Sequence, residues 1–328
     1  MSRRKPWATL TSLFQRDKHT TRTLYTWEWV VLIYLAATTI YILLFWTRLN
    51  HPADMLLMRA RVLAVMLALW GLSRLWPAPI TVLLRATAQL MMLSWWYPDT
   101  YDLNIVWPNL DHVFAAAEQN IFGCQPAALL STWAPQPIVS EIMYLAYAAY
   151  FPMIALTAAY YFFCRQKDFP RAMTVLLAAF MTYYVIFVLL PVTGPQYYYL
   201  AVGEDNILNA QFPNLHYYFT THADRMTAPG WTDGLFYDIV ETAHQVGERP
   251  TAAFPSSHVG ISTILLFLAY RAHSKPLFYT LLPFTLLMLV ATVYIKAHYA
   301  IDVIAGLISA ALIYTAINYT INITKKHR

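Results

Sequence analysis

Long apolar runs, interrupted by short clusters of polar residues, prolines and charges, dominate the pattern of this chain. A helix that crosses a bilayer needs roughly 20 predominantly apolar residues. Runs of about that length fall at 27–46, 60–77, 80–97, 138–163, 172–191, 257–271, 277–295 and 300–320. They predict an all-α fold, a polytopic membrane helical bundle of about eight spans. The second and third runs admit another reading, one re-entrant or interfacial pair. Trp76-Pro77-Ala78-Pro79 leaves only a tight hairpin between them, and the third holds Arg85 and Gln89. The first run is too long for a cleavable signal peptide and no small-residue cleavage site follows it.

Two longer stretches interrupt the pattern. Residues 98–137 mix Asp99, Asp102, Asp111, Glu118, Asn120 and Gln125 with Trp, Phe and Pro, which suits helices lying in the membrane interface. Residues 192–256 carry seven acids, three histidines (His216, His222, His244) and many tyrosines. Connections of that length are usually functional or disordered, and the aromatic content argues for an ordered lid. The expected organisation is therefore a basic tail (1–26), accessory spans (27–97), an interfacial segment (98–137), a catalytic membrane core (138–320) with the lid 192–256, and a second basic tail (321–328). There is no internal repeat and no low-complexity tract.

Composition fits a membrane protein: 59% of the 328 residues are hydrophobic and 12% charged, far from the soluble norm. Lys and Arg set the orientation. With eight spans, fourteen of them fall in the tails and in the loops after the fourth and sixth spans, against six on the other side (Arg48, Arg59, Arg61, Arg225, Arg249, Lys296). Both termini are thus expected in the cytoplasm, as in a bacterial inner-membrane protein, with the lid on the extracytoplasmic face. The net charge of +5 is then a topology signal, and no nucleic-acid partner is expected. Cys124 and Cys164 fall on opposite sides, so neither a disulfide nor a zinc–thiolate site is expected.

The polar residues at span ends carry the chemistry. His298 and Asp302, if the last helix begins near Ala297, lie at i and i+4 on one face. A carboxylate on one imidazole nitrogen fixes the tautomer and frees the other as nucleophile or base; a capping Asp beside an interfacial His is the plainer alternative. Ser256 and Ser257 open a helix just before His258, where hydroxyls and free N–H groups favour a phosphate. His258 could protonate a leaving alkoxide. Both histidines are expected on the same outer face. Arg249 offers a planar fork for phosphate oxygens. Lys296 would point roughly 200° away from His298 in a continuous helix, so it helps only if that stretch is a loop. Nothing matches a metal-binding signature, and no metal or cofactor is expected.

Together, Arg249-Pro250, Pro255-Ser-Ser-His258 and the HxxxD of His298 and Asp302 resemble the type 2 phosphatidic acid phosphatase superfamily of metal-independent lipid phosphatases and phosphotransferases. Phe122-Gly-Cys-Gln-Pro126, Ser140-Glu-Ile-Met-Tyr144, Pro191-Val-Thr-Gly-Pro195 and His298-Tyr-Ala-Ile-Asp302-Val-Ile-Ala-Gly306 are similar to the branch of aureobasidin-sensitive inositol phosphorylceramide synthases. The resemblance implies a six-helix phosphatase-type core, with His298 as the nucleophile that forms a phosphohistidine, Asp302 orienting it, and His258 as general acid. Ser256, Ser257 and Arg249, with Lys296 a further candidate, would hold the phosphate.

This chain departs from the superfamily at three cations: Thr242 replaces a Lys, Ala291-Thr292 replaces a Ser-Arg pair, and Gln196 replaces a basic residue. A phosphomonoester carries close to two negative charges and a diester one. Fewer cations favour a diester, hence transfer of phosphoinositol from phosphatidylinositol to a ceramide-like alcohol. The alternative is a lipid phosphate or pyrophosphate phosphatase with water as acceptor. A transporter would carry polar residues at mid-span in paired broken helices, whereas here they cluster at span ends.

Overall fold

The computed structural model describes residues 10–17 and 23–326, and among them there is no strand. In chain order the helices are α1 (Leu10–Phe14), α2 (Thr26–Leu44), α3 (Pro52–Leu75), α4 (Pro79–Asn104), α5 (Asp111–Phe122), α6 (Pro126–Trp133), α7 (Pro137–Ala148), α8 (Tyr150–Cys164), α9 (Phe169–Leu189), α10 (Pro195–Val202), α11 (Glu204–Leu208), α12 (Leu235–Gly247), α13 (Ser257–Arg271), α14 (Lys275–Tyr294) and α15 (Ala300–Lys326). Pro52, Pro79, Pro126, Pro137 and Pro195 each occupy the first helical position, where the absent N–H costs nothing and the fixed φ already suits a helix. The protein is a polytopic helical bundle.

Five helices, α2, α3, α9, α14 and α15, are long and apolar enough to cross a membrane, and the bent pair α7–α8 makes a sixth. Of the other two expected spans, α13 has only 15 residues, and α4 has 26 residues of more polar composition. The fourth expected span is bent by 42° between α7 and α8. Pro152 lies in the first turn of α8 and has no N–H to offer the carbonyl of Ala148, so the ladder breaks there. The third expected span runs on to Asn104, so residues 98–104 belong to α4 and not to a separate interfacial stretch.

The bundle is built around α9, which is buried along most of its length and packs against α2, α4, α8, α13 and α15. Arg85, one of the two polar residues that set 80–97 apart, is paired inside the bundle. Arg85 on α4 donates from Nε to Glu28 of α2 at 2.8 Å, pairs again with that carboxylate through its terminal nitrogen, and reaches Ser73 of α3 at 3.0 Å. At the other end of the same three helices, Arg59 of α3 forms a bidentate pair with Asp99 of α4 at 3.0 and 2.7 Å, and bonds Thr38 of α2 at 3.2 Å. Charges buried this deeply are costly unless paired. Arg85→Ala leaves the buried Glu28 with only the Tyr25 N–H and no counter-charge, so we expect a loss of about 3–5 kcal/mol, read as a lower thermal midpoint in detergent. The double change Arg85→Met with Glu28→Leu should lie close to the wild type.

The basic turns gather at one end of the bundle. Arg165, just after α8, bonds the Ala272 carbonyl at 3.1 Å, and Arg171 of α9 bonds Asn318 of α15 at 3.0 Å. The opposite end is capped by residues 192–256, which are ordered and tied down by α7. Ser140 accepts from the Trp231 N–H at 2.8 Å. Glu141 accepts the first free N–H groups of α12, from Phe236 and Tyr237, at 3.0 and 3.1 Å, and Tyr144 donates to the Pro229 carbonyl at 2.7 Å. The Ser140-Glu-Ile-Met-Tyr144 motif is thus a clasp for the lid.

Candidate active site

Ser256 is the N-cap of α13. Its hydroxyl accepts from the Val259 N–H at 3.4 Å, and its own N–H donates to the Asp302 carbonyl at 3.0 Å. That second bond joins the starts of α13 and α15. They approach closely because position 306 is glycine: a Cβ there would stand 2.7 Å from the Ser256 carbonyl oxygen. Ser257 and His258 follow as the first residues of α13.

The structure corrects the expected relation between His298 and Asp302. α15 begins at Ala300 and not near Ala297, so His298 lies ahead of the helix and the i,i+4 geometry does not apply. Asp302 caps α15 instead, accepting from the Tyr299 N–H at 2.8 Å, and Glu118 of α5 accepts from the Ile301 N–H at 3.1 Å. Both carboxyl groups sit where helix N-termini favour them. The Asp302 carboxylate is 3.7 Å from His298 Nδ1, beyond hydrogen-bond reach. Nδ1 lies instead 2.7 Å from the carbonyl of Ala253. A carbonyl can only accept, so Nδ1 carries the proton and Nε2 keeps its lone pair. The orienting group on the imidazole is a backbone carbonyl.

His298 Nε2 faces Nδ1 of His258 at 3.4 Å, so residues forty positions apart meet. The His258 ring is held between Tyr147 of α7 and Tyr150 of α8, with ring centroids 4.5 and 4.4 Å away. These tyrosines flank the α7–α8 bend, so the bend shapes the seat of His258. His244 of the lid helix α12 also meets Tyr147 edge-on, with centroids 5.7 Å apart.

The two candidate cations do not hydrogen-bond to the histidine pair. Arg249 bonds the Glu248 carbonyl at 2.8 Å. Lys296 is indeed in a loop, with φ at +63°, and its ammonium lies 3.5 Å from Glu204 of the lid. Ala252, next to Ala253 whose carbonyl accepts from His298, also has a positive φ of +67°. Left-handed backbone at non-glycine residues is costly, and strain of this kind clusters at functional sites.

Two acids escaped the sequence reading. Glu248, directly before Arg249-Pro250, accepts from Tyr97 at 3.2 Å and from Gln196 at 3.1 Å and lies within electrostatic reach of His298. Its position beside Arg249-Pro250 was the one available signal. Asp111, the first residue of α5, accepts from the Thr193 N–H at 2.7 Å, the Gly194 N–H at 2.9 Å and the Tyr299 hydroxyl at 2.9 Å. It clamps the Pro191–Pro195 loop to the residue after His298. Gly194 has φ +91°, and a Cβ there would stand 2.6 Å from the Ala297 carbonyl oxygen. Only glycine lets this loop lie against the backbone that carries His298.

Burial dominates the electrostatics. It lowers the His298 pKa from 6.5 to about 4, against the opposing pull of the Ala253 hydrogen bond and the Glu248 charge. Burial likewise takes His244 to about 4, with the Arg225 charge adding to it. Burial raises the carboxyl of Glu248, and that of Glu118 to about 8. His298 is therefore neutral at pH 7 and remains so until the pH approaches 4. We expect the acid limb of kcat/KM to fall near pH 4 and not near 6.5, checked by a pH–rate profile on a lipid substrate. Stability follows the same window: unfolded imidazoles bind protons below pH 6.5 that these two histidines bind only near 4, so stability declines as pH falls through that range.

Among the described residues no three His, Cys, Asp or Glu side chains converge in an arrangement that could hold a metal ion. With this geometry in view, the comparisons decide the family. The family model described as the PAP2 superfamily matches residues 112–316. The chain belongs to that superfamily. It is accordingly an integral membrane enzyme of the phosphatase or phosphotransferase type that acts on lipid phosphates. No curated protein and no solved structure matches it. The matched segment takes in His258, His298, Asp302, Arg249 and the Asp111 neighbourhood from His112 onward, and leaves α2, α3 and α4 outside it.

Proposed function

We propose that this enzyme is a lipid phosphotransferase that works through a phosphohistidine on His298. The observation that carries the proposal is the His298 side chain itself: Nδ1 donates to the Ala253 carbonyl and the free Nε2 points at His258. Nε2 attacks the phosphorus of the donor lipid, the P–O bond to diacylglycerol breaks, and His258 gives its proton to the leaving oxygen. An acceptor hydroxyl then attacks the phosphohistidine, its proton passes to His258, and the P–N bond breaks. Ser256 and Ser257 at the start of α13, with Arg249 and Lys296, are the proposed phosphate holders. Asp302 supports the site by capping α15 and joining it to α13.

The preference for a diester donor gains support from Glu248. A buried carboxyl beside the pair, and a Lys296 already paired with Glu204, make a poor home for a doubly charged phosphomonoester. A phosphodiester is easier to accept. Phosphatidylinositol as donor and a ceramide-like alcohol as acceptor form the pair that the resemblance implies. The asymmetry of Lys and Arg supports cytoplasmic termini and an extracytoplasmic site, in a bacterial inner membrane, so the donor headgroup would be presented in the outer leaflet.

Incubating the purified full-length enzyme with labelled phosphatidylinositol, with and without ceramide, tests this reading. We expect label to move to ceramide, and to do so in excess EDTA. Release of free inositol phosphate at the same rate with or without ceramide would make it a hydrolase. Loss of activity in EDTA that Mg²⁺ restores would overturn the mechanism.

A further inference from the structure

A cavity lies away from the histidines, inside the apolar part of the bundle. It has a volume of about 440 Å³ and is walled by Thr87 and Met91 of α4 and by Phe151, Ala155 and Ala158 of α8, with Phe169 and Met173 of α9 at its inner end. α4 and α8 each pack against α9, and the cleft runs between them. Its lining is almost wholly carbon. Alanines at 86, 155, 158 and 159 keep it open, whereas larger residues would let the two walls meet.

Its upper end adjoins the active site. Ser94 and Phe151 bound the cleft there. Tyr97, one turn beyond Ser94, holds Glu248, and Tyr150, next to Phe151, packs on His258. From Phe151 to Phe163 along α8 the cleft descends about 18 Å at 1.5 Å per residue. The acyl layer of one leaflet is about 15 Å deep, half of a hydrocarbon core of about 30 Å. Met91, Phe151 and Phe163 are exposed at its rim, so the cleft is open sideways to the bilayer along its length. A cleft of this depth and width suits one extended hydrocarbon chain.

We propose that this cleft holds one acyl chain of the substrate lipid, placing its phosphate at His298. The proposal rests on the reading of the enzyme as acting on a lipid phosphate. It assigns a role to α4, which lies outside the segment that matches the superfamily. Lateral opening lets the lipid enter without leaving the membrane. Chain length should then set how well a lipid is held, because each buried methylene adds to binding.

Two readouts test it, one independent of turnover. The full-length protein in nanodiscs is irradiated with phosphatidylinositol carrying a diazirine in a palmitoyl chain, and cross-linked peptides are mapped by mass spectrometry. Cross-links should concentrate on α4 and α8 residues that line the cleft. Ala158→Trp and Thr87→Trp, one on each wall, should remove them, while Leu156→Trp on the outer face of α8 should not. In turnover, both cleft variants should reduce the kcat/KM preference for palmitoyl over hexanoyl lipids by about tenfold or more. Cross-links spread evenly around the lipid-facing helices would overturn the proposal, as would equal slowing of long and short lipids. Cross-links in the cleft without turnover of any lipid phosphate would count against the reaction and for the chain site.

Discussion

Replacement of His298 by alanine is expected to lower turnover by at least about a thousandfold, because a covalent nucleophile has no substitute within the site. The argument is geometric. One nitrogen is occupied by the Ala253 carbonyl and the other faces His258, so no third group reaches the phosphorus position along the same line. The substitution also leaves the buried Ala253 carbonyl unpaired, at about 1–3 kcal/mol, which a thermal midpoint in detergent will register. His298→Gln separates the two effects: its amide can donate to that carbonyl, restoring stability, yet it cannot attack. We expect the glutamine variant to be as inactive as the alanine variant and nearly as stable as the wild type. A tenth of wild-type turnover in either would remove His298 from the nucleophile role.

His258→Gln is expected to lower turnover by about 10²- to 10⁴-fold, the range for loss of a general acid or base. The loss should depend on the leaving group, which distinguishes proton donation from packing between Tyr147 and Tyr150. With a natural lipid ester the departing alkoxide needs a proton. With a nitrophenyl ester it does not, so the variant should recover most of its rate on that substrate. An equal loss on both substrates would assign His258 a structural role.

Much of the fold was legible because apolar length is a local property. All eight expected runs coincide with helices, and the Ser256 cap before His258 sits where the serines implied. The bend at Ala149 was not read, although Pro152 was in plain view, because a proline in the first turn of a helix is ordinarily harmless. It matters only when the preceding helix attempts to continue through it. The site was legible in its parts and less so in their connections. His258 and His298 meet, but the partner of His298 depends on where α15 starts. That start is fixed by Glu118, a residue 183 positions away from Ile301, and by the Asp302 cap. Periodicity alone extends the helix three residues too far and so turns a capping aspartate into a histidine partner. Asp111 and Glu248 were missed for a similar reason. Their long-range hydrogen bonds span from 52 to 188 positions of sequence, and an isolated acid near a membrane interface gives no local sign of such partners.

The buried pairs of Arg59 with Asp99 and Arg85 with Glu28 show the reverse case. Arg85 within an apolar run reads as a sign of a weak span, and Arg59 as an outer-side charge, yet each is matched across three helices, and α4 is kept in register beside the catalytic core. That register brings Tyr97 to Glu248 and the α4 wall to the cleft.

The account turns on a bond from phosphorus to His298 Nε2. The enzyme should be mixed with labelled phosphatidylinositol without acceptor, quenched under alkaline conditions that preserve phosphoramidates, digested, and analysed by mass spectrometry. The expected result is a phosphoinositol adduct on the peptide that contains His298, lost on brief acid treatment and absent from His298→Gln. An acid-stable adduct, or an adduct on His258 or a serine of the 256–257 pair, would contradict the account.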